Sequence, residues 1–209
     1  EFRRVLFRSL LGTFDLATLA LEKNVSNFVF ISTDKAVRPT NIMGGSKFLS
    51  ELIVKEFYEN NQSATKFAIV RFGNVIDSSG SVIPIFREQI KKGGPITITH
   101  PDMERFFMTI SEAVELVLQS SVLANGGETF ILNMGKALKI IDVAKKMIYL
   151  SGLKIKDSKN KIGDIEIKII GMKKGEKLKE ELFINGKIVK TLHPLINKAE
   201  ENIHVVNQF

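Results

Sequence analysis

Short apolar runs separated by polar turns recur along the chain and predict the strands of a sheet. Phe28–Ile31, Lys66–Phe72 and Thr129–Leu132 are continuous runs, typical of strands that are buried on both faces. Ile96–Ile98 and Ile165–Ile170 predict two further strands. Continuous burial is characteristic of parallel sheets, so we expect helices to cover this sheet on both sides.

Between these runs, apolar residues recur every three or four positions and predict amphipathic helices. Turn residues mark their ends: Asn24 follows the first helix, and Gly93-Gly94-Pro95 and Ser151-Gly152 follow two later ones. The predicted helices are Leu10–Lys23, Ile42–Asn60, Val82–Lys92, Ser111–Leu123 and Ile140–Leu150. A short helical turn is expected at Leu178–Phe183, with irregular chain beyond it.

The order strand, helix, strand predicts parallel pairing with a right-handed crossover. The chain opens with a helix that leads into its first strand, and its strands are too few for a complete doubly wound sheet. We therefore expect an α/β fold that is the later part of a larger doubly wound domain, with its N-terminal strands missing.

The stretch Phe28–Lys47 combines a buried strand, a polar cluster and the start of a helix. The cluster Ser32-Thr33-Asp34-Lys35 follows the strand, and Met43 and Lys47 share one face of the helix. Ligands of open α/β sheets bind at the carboxyl ends of the strands. An adjacent carboxyl and amine there can act as an acid–base pair when burial brings their pKa values toward neutrality. The alternative is that the acid caps a turn and the lysine is solvated.

Composition limits the classes of function. Of 209 residues 44% are apolar, and no apolar run approaches the roughly 18 residues of a membrane span. The absence of cysteine excludes disulfides and thiolate metal sites and favours a reducing, cytoplasmic setting. The histidines and acids show no metal-binding spacing, so no metal is expected.

The net charge of +7 raises the question of nucleic acid. Many lysines fall within 154–179, which is typical of a solvated face, and the aromatic residues are not interleaved with basic ones as a stacking surface requires. We therefore expect no nucleic-acid partner.

The first nine residues differ in composition from the rest. Glu1–Ser9 contains three of the seven arginines, whereas the remaining residues contain 23 lysines and four arginines. This contrast predicts a foreign or artefactual leader. A secretory signal is the alternative, but no long apolar region follows it.

Several motifs around the polar cluster resemble the extended short-chain dehydrogenase/reductase superfamily. Within it they are similar to the CapD-like 4,6-dehydratases that act on UDP-N-acetylglucosamine in bacterial polysaccharide and glycan biosynthesis. The likeness covers about residues 10–185. The matching motifs are STDK at 32–35, PTNIMGGSK at 39–47, RFGNV at 71–75, GSVIP at 80–84, ITHP at 98–101, RFFMT at 105–109 and GEKL at 175–178.

The resemblance implies a partial Rossmann-like, doubly wound parallel sheet with a small C-terminal α/β substrate-binding region. Residues 10–80 would be the C-terminal part of the NAD(P)-binding domain and 81–185 the nucleotide-sugar-binding region, interleaved with the core; 186–209 would be an irregular tail. The superfamily's glycine-rich turn is absent from the chain, as is the residue that selects NAD or NADP.

In this superfamily a Tyr-x-x-x-Lys helix supplies a base and a lysine that binds the cofactor ribose. Lys47 keeps the lysine place, while Met43 occupies the tyrosine place, as in the larger, membrane-anchored dehydratases. A thioether has no titratable proton. The group that accepts the proton of the C4 hydroxyl is therefore open between Thr33, Asp34 and Lys47 acting through water.

The resemblance also implies a reaction cycle. Hydride passes from the sugar C4 to NAD or NADP, Lys35 removes the C5 proton, and a protonated Asp34 gives its proton to the departing C6 hydroxyl. Hydride then returns to C6, so the net reaction loses water. An epimerase of the same fold is an alternative, although simple epimerisation needs no such pair; a non-catalytic UDP-sugar-binding fragment is another.

Binding roles follow by the same resemblance. The residues expected at the cofactor are Ser32, Lys47, Phe72 and Gly73. Those expected at the UDP-sugar are Asn74, Ser81, Val82, Arg105 at the diphosphate and Glu176 at the uridine ribose. Lys173-Lys174 stands where the family has Arg-Pro, which keeps positive charge and loses bidentate geometry. A homo-oligomer is expected, with a parent protein anchored at the cytoplasmic face of the inner membrane through a missing N-terminal region.

Overall fold

Helices and strands alternate along the chain as the apolar pattern predicts. The computed structural model describes residues 5–61, 64–78, 80–158, 160–183 and 186–201. Its helices are a π-helical turn at Leu6–Leu11, α1 (Gly12–Glu22), α2 (Ile42–Asn60), α3 (Val82–Lys91), α4 (Ile110–Leu123) and α5 (Ile140–Leu150).

The strands are short. They are β1 (Asn27–Ile31), β2 (Lys66–Arg71), β3 (Asn74–Val75), β4 (Ile96–Ile98), β5 (Glu104–Arg105), β6 (Phe107–Met108), β7 (Thr129–Leu132), β8 (Leu138–Lys139), β9 (Ile155–Lys156), β10 (Ile165–Ile169), β11 (Gly186–Lys190) and β12 (Ile196–Glu201). The apolar runs therefore locate β1, β2, β4, β7 and β10, whereas the remaining strands escape the pattern because they are too short or too polar.

The described residues form two compact units, and each is built from separate stretches of the chain. The first unit draws on Glu1–Gly73, Glu112–Asn133 and Glu181–Phe209, and the second on Asn74–Ser111 and Met134–Glu180. The predicted substrate-binding region, 81–185, is therefore not one unit: α4 and β7 within it belong almost entirely to the first unit, because β7 pairs with β2 in the same sheet.

The first unit is organised by a five-stranded sheet in the order β1-β2-β7-β12-β11. β1, β2 and β7 are parallel, with Phe30 opposite Ile69 and Val70 opposite Phe130. β12 and β11 continue the sheet in antiparallel pairing. The carboxyl ends of the three parallel strands therefore lie at one edge, where residues that follow them can form a ligand site.

The core of the first unit accounts for the apolar side chains of β1 and β2. Ala17 of α1, Val54 of α2, Phe30 of β1 and Phe67 and Ile69 of β2 pack as one buried cluster. Burial of the valine, isoleucine and phenylalanine side chains of this cluster stabilises the fold by about 1.5–3 kcal/mol each. This packing fixes α2, which contains Met43 and Lys47, against the sheet.

The second unit contains a parallel three-stranded sheet in the order β4-β10-β9. The side chains from this sheet and from α3 and α5 form its core: Phe86, Ile96, Ile98, Met103, Ile140, Ala144, Ile148 and Ile165. Two small pairings complete the unit, the parallel pair β3–β6 and the antiparallel pair β5–β8. They place Asn74 opposite Phe107 and Arg105 opposite Leu138.

The predicted irregular tail from residue 186 is wrong where the structure describes it, because β11 and β12 form there. β12 has the sequence INKAEE, and its buried positions, Ile196 and Ala199, are three residues apart. A strand buried on one face has a period of two, so this strand gives no recognisable pattern. Residues 202–209 of the expected tail lie outside the described residues.

One further expectation fails. No helical turn forms at Leu178–Phe183, because the Leu178 carbonyl accepts hydrogen bonds from the Glu104 N–H (3.0 Å) and from Arg105 (3.2 Å) instead. In the described part of the predicted leader Glu1–Ser9, helical chain runs from residue 5 into α1, and the foreign origin of this segment stays a prediction. The Ser9 carbonyl accepts a hydrogen bond from the Ser50 hydroxyl of α2 (3.0 Å).

Candidate functional site

The polar cluster after β1 forms a short turn fixed to the end of β2. The Ser32 N–H donates to the Val70 carbonyl (2.8 Å), and the Asp34 N–H donates to the Phe72 carbonyl (3.1 Å). Asp34–Ala36 then makes one 3₁₀ turn. Two neighbouring parallel strands therefore set the backbone position of Asp34, as expected for a residue at the carboxyl edge of the sheet.

The Asp34 carboxyl group is fully buried, and its two oxygens have different surroundings. Oδ1 accepts hydrogen bonds from the Thr33 hydroxyl (2.9 Å) and the Lys35 ammonium (2.8 Å). Oδ2 is buried and has no hydrogen-bond partner among the described residues. A buried polar atom without a partner is costly, and such atoms in native proteins often mark functional positions. The structure therefore brings Thr33, Asp34 and Lys35 into one hydrogen-bonded group.

α2 begins directly beside this turn. The Asn41 side chain caps the helix by accepting a hydrogen bond from the Gly44 N–H (2.8 Å). A Cβ atom at Gly44 would lie only 2.2 Å from the Lys35 carbonyl oxygen. Only glycine allows the helix to approach the Asp34–Lys35 turn this closely.

Lys47 extends from α2 to the carboxyl end of β1. Its ammonium group donates to the Ile31 carbonyl (2.7 Å) and lies 4.2 Å from the centre of the Phe30 ring. Burial lowers the pKa of Lys47, while the charge of Glu51 acts in the opposite direction. Met43, one turn earlier, has a side chain that is 43% exposed. Met43 is therefore not a core residue, and its thioether has no titratable proton.

A buried ion-pair network lies behind Lys47, and the sequence did not reveal it. The Arg71 guanidinium donates to both oxygens of Glu51 (2.8 and 2.6 Å) and to Glu201 of β12 (2.6 Å). Burial acts to lower the pKa of Arg71, but its hydrogen bonds and charge interactions with Glu51 and Glu201 outweigh burial and raise it. In the sequence, Arg71 was noted only as a member of the motif at 71–75 and no role was predicted for it. No sequence feature indicated a role for Glu201.

The second unit holds an open pocket of about 340 Å³. All five residues predicted to bind the UDP-sugar line it: Asn74, Ser81, Val82, Arg105 and Glu176. Thr97, Thr99 and Lys173 line it as well and were not assigned from the sequence. The signal that could have identified Thr99 was its place in the motif at 98–101.

The polar groups of this pocket differ in how they are engaged. The Ser81 hydroxyl is buried at the start of α3 and has no hydrogen-bond partner among the described residues. Glu176 accepts a hydrogen bond from the Lys173 N–H (2.8 Å), and the Thr99 hydroxyl lies 3.4 Å from its other oxygen. An unpartnered hydroxyl on a pocket wall can bind a ligand without losing a protein contact.

Arg105 is largely occupied by the protein. Its guanidinium donates to the carbonyls of Glu104 (2.6 Å), Lys177 (2.8 Å) and Leu178 (3.2 Å), and it lies 3.8 Å from Glu180. These contacts fix the segment that contains Glu176 and Lys177. The guanidinium therefore holds the pocket wall, and only its remaining donors can meet a ligand.

Comparison with known proteins identifies the family of the chain. The family model described as "Polysaccharide biosynthesis protein" matches residues 4–201. The capsular polysaccharide biosynthesis protein CapD of Staphylococcus aureus is 52% identical over 180 residues, which are 86% of this chain and 29% of CapD. A UDP-glucose 4-epimerase of Rickettsia rickettsii is 37% identical over 184 residues, 87% of this chain and 50% of the epimerase.

Solved structures show the same fold. Pen from Bacillus thuringiensis superposes with a TM-score of 0.80 at 33% identity, over 93% of this chain and 58% of Pen. DesIV from Streptomyces venezuelae, a dTDP-glucose 4,6-dehydratase solved with NAD bound, gives a TM-score of 0.70 at 18% identity, over 84% of this chain and 56% of DesIV. The predicted Rossmann-like α/β fold with a parallel sheet is therefore confirmed.

The chain spans 29% of the length of CapD and about half of the epimerase. Within the described part of the chain, no helix is both long enough and apolar enough to cross a bilayer. The match of the family model over residues 4–201 and the identity with CapD show that the chain belongs to the polysaccharide biosynthesis protein family, whose fold is that of the short-chain dehydrogenase/reductase enzymes.

Proposed function

We propose that this chain contains the acid–base residues and the nucleotide-sugar pocket of a nucleotide-sugar 4,6-dehydratase. Its substrate is UDP-N-acetylglucosamine and its product the UDP-4-keto-6-deoxy sugar, used in polysaccharide biosynthesis. One observation supports this most directly: the buried Asp34 carboxyl has one oxygen joined to Thr33 and Lys35 and the other without a partner in the described structure.

Lys35 removes the proton from C5 of the sugar, and the protonated Asp34 donates to the hydroxyl that leaves C6 as water. The 4-ketone makes the C5 proton acidic enough for an amine to remove. Lys35 then returns a proton to C5. Lys35 Nζ lies 2.8 Å from Asp34 Oδ1. This contact supports the division of roles, because a neutral Lys35 amine and a protonated Asp34 are held together in the same arrangement.

We assign the C4 hydroxyl proton to Thr33. Its hydroxyl lies 2.9 Å from Asp34 Oδ1, so the proton that leaves the C4 hydroxyl in the first step can pass through Thr33 to the Asp34 carboxylate, which later donates it at C6. This relay needs no tyrosine, which agrees with methionine at position 43. Protons then balance over the cycle: C5 loses and regains one, and the proton from the C4 hydroxyl leaves with the C6 hydroxyl as water, which returns Asp34 to the carboxylate.

A nicotinamide dinucleotide supplies the hydride chemistry when bound, accepting hydride from C4 and returning it to C6. The residues that would hold it in this chain are Ser32, Lys47, Phe72 and Gly73. Their surroundings suit such a ligand, because the Ser32 hydroxyl is buried without a partner among the described residues and Lys47 reaches the end of β1. NAD is the form seen with DesIV.

The pocket of the second unit would bind the UDP part of the substrate. Ser81 and Asn74 offer uncharged polar groups, Glu176 accepts from the ribose hydroxyls, and Lys173 supplies a cation for the diphosphate. Val82 packs against the core of the unit and contributes an apolar wall.

A second candidate is a UDP-sugar 4-epimerase, favoured by the identity with the epimerase of Rickettsia rickettsii. The two reactions differ at C5, because only elimination breaks the C5–H bond. Turnover of UDP-N-acetylglucosamine by the full-length protein in D₂O therefore separates them. A dehydratase gives a 4-keto-6-deoxy product with deuterium at C5, whereas an epimerase gives a product without deuterium there.

Replacing Lys35 tests the assigned roles within the same experiment. Lys35→Ala should lower dehydration by about 10²–10⁴-fold, the typical contribution of a general base, while leaving NAD binding intact. Lys47→Met is the matched control and should weaken NAD binding. Undiminished turnover by Lys35→Ala would remove Lys35 from the mechanism.

A further inference from the structure

Glu51 is a buried acid one helical turn beyond Lys47. Both lie on α2, four residues apart, and so share a face of the helix. The Glu51 side chain is 1% exposed. A buried carboxylate without a partner costs several kcal/mol, so its presence here requires compensating charge.

Arg71 supplies only part of that compensation. It holds both oxygens of Glu51 in a bidentate pair and also donates to Glu201, whose side chain is equally buried. A guanidinium stays protonated at all ordinary pH values. The three groups together have one positive and two negative charges, so the network is negative by one charge.

Two lysines of α2 are placed to balance this charge. Lys47 precedes Glu51 by one turn and Lys55 follows it by one turn. The negative charge of Glu51 acts to raise the pKa of both lysines, against the effect of burial, and the charge of Glu201 acts in the same direction on Lys55. From the turn packed against the start of the helix, Asp34 and Lys35 add a further pair of opposite charges.

Lys47 is the lysine that reaches the predicted ligand site. Its ammonium group is held at the end of β1 by the Ile31 carbonyl and the Phe30 ring. Neither contact supplies a formal charge, and burial lowers the pKa of Lys47. The charge of Glu51 opposes that effect.

We propose that Glu51 is a positioning residue whose fixed negative charge holds the Lys47 ammonium group at the carboxyl end of β1. Arg71 fixes the carboxylate, so Glu51 acts on Lys47 without moving toward it. This inference rests on the proposed function only in naming a dinucleotide as the ligand of Lys47.

The test compares Glu51→Gln with Glu201→Gln in the full-length protein. Both changes remove one carboxylate from Arg71, but only the first removes the charge next to Lys47. The pH dependence of acetylation of the Lys47 amine is followed by peptide mass spectrometry, since only the neutral amine reacts. NAD affinity is measured separately by titration.

We expect Glu51→Gln to lower the pH midpoint of Lys47 acetylation by about half a unit or more and to weaken NAD binding. In the Glu201→Gln variant, the pH midpoint of Lys47 acetylation should equal that of the parent protein. Equal midpoints in the two variants would overturn the inference. A shifted midpoint with no NAD binding by any form of the protein would uphold the role of Glu51 and contradict the cofactor assignment instead.

A third variant separates charge from loss of folding. Glu51→Met, Arg71→Met and Glu201→Met together replace the buried ionic network with apolar side chains, which in other proteins is neutral or stabilising. The pH midpoint of Lys47 acetylation should remain low in this triple variant, as in Glu51→Gln, even when the stability equals that of the parent protein. Return of the midpoint to the parent value would show that Glu51 acts through the fold alone.

Discussion

Gly44 sets the distance between the helix that contains Lys47 and the turn that contains Asp34. Its missing side chain leaves room for the Lys35 carbonyl oxygen, which would lie 2.2 Å from an added Cβ. Real Cβ atoms do not approach a backbone oxygen this closely. Gly45, the next residue on α2, has open space around the same position. The two adjacent glycines therefore have different roles.

Alanine at these two positions should have opposite effects on stability. Gly44→Ala should destabilise by about 1–3 kcal/mol, because the helix must shift away from the turn. Gly45→Ala should stabilise by about 0.5–1 kcal/mol, because alanine favours the helix interior and meets no atom. Denaturant unfolding of both variants measures the difference. A harmless alanine at position 44 would contradict the close approach of α2.

Arg105 illustrates how a residue inherited from a family motif can have a second role. The resemblance assigned it to the diphosphate, but in the structure its donors meet the backbone carbonyls of residues 104, 177 and 178. If Arg105 binds the diphosphate, replacing it should weaken only ligands that contain phosphates. If it supports the pocket wall, replacing it should also weaken ligands without phosphates.

Arg105→Met should weaken binding of uridine as well as UDP, by about tenfold each, because the wall that contains Glu176 loses its support. Lys173→Met, which changes an exposed lysine of the same pocket, should weaken UDP and spare uridine. Calorimetric titration of the full-length protein with both ligands distinguishes the cases. If Arg105→Met leaves the affinity for uridine unchanged, Arg105 only binds the phosphates and does not support the pocket wall.

Among the secondary-structure elements, β12 has more influence than its sequence suggests. It lies between β7 and β11, completes the larger sheet and contributes Glu201 to the network behind Lys47. Its Ile196 is fully buried, whereas Ile188 of the neighbouring strand β11 is 40% exposed. A chain segment with so few apolar residues depends on its neighbours for its conformation.

Ile196→Ala should therefore cost about 2–5 kcal/mol of unfolding free energy, the range for a truncated core side chain. Ile188→Ala, on the strand beyond it, should cost less than about 1 kcal/mol. Thermal unfolding of the two variants provides the comparison. Similar small losses from both would show that β12 is not part of the stable sheet.

For the whole molecule, the sequence could predict those features that depend on local pattern. The continuous apolar runs located β1, β2 and β7, and the helical periodicity located the five α-helices of the described residues. The motif resemblance predicted five binding residues that line one pocket in the structure: Asn74, Ser81, Val82, Arg105 and Glu176. Each of these features is encoded within a short segment.

What escaped prediction depends on contacts between distant segments. Arg71 meets Glu51 across 20 residues and Glu201 across 130, and no periodicity connects such positions. The occupation of Arg105 by carbonyls of residues 177 and 178 is likewise a long-range contact. The division of the chain into two interleaved units follows from the pairing of β7 with β2, which residue types alone do not specify.

The position of β12 beside β7 has a consequence for synthesis on the ribosome. β1, β2 and β7 are translated before β12 and can assemble as three parallel strands, but one edge of β7 lacks its β12 neighbour until residues 196–201 emerge. During that interval the nascent chain presents an unpaired, apolar strand edge containing Phe130, which is the kind of surface that chaperones bind and that aggregates. Pairing with β12 therefore also protects this edge of β7 from aggregation during folding.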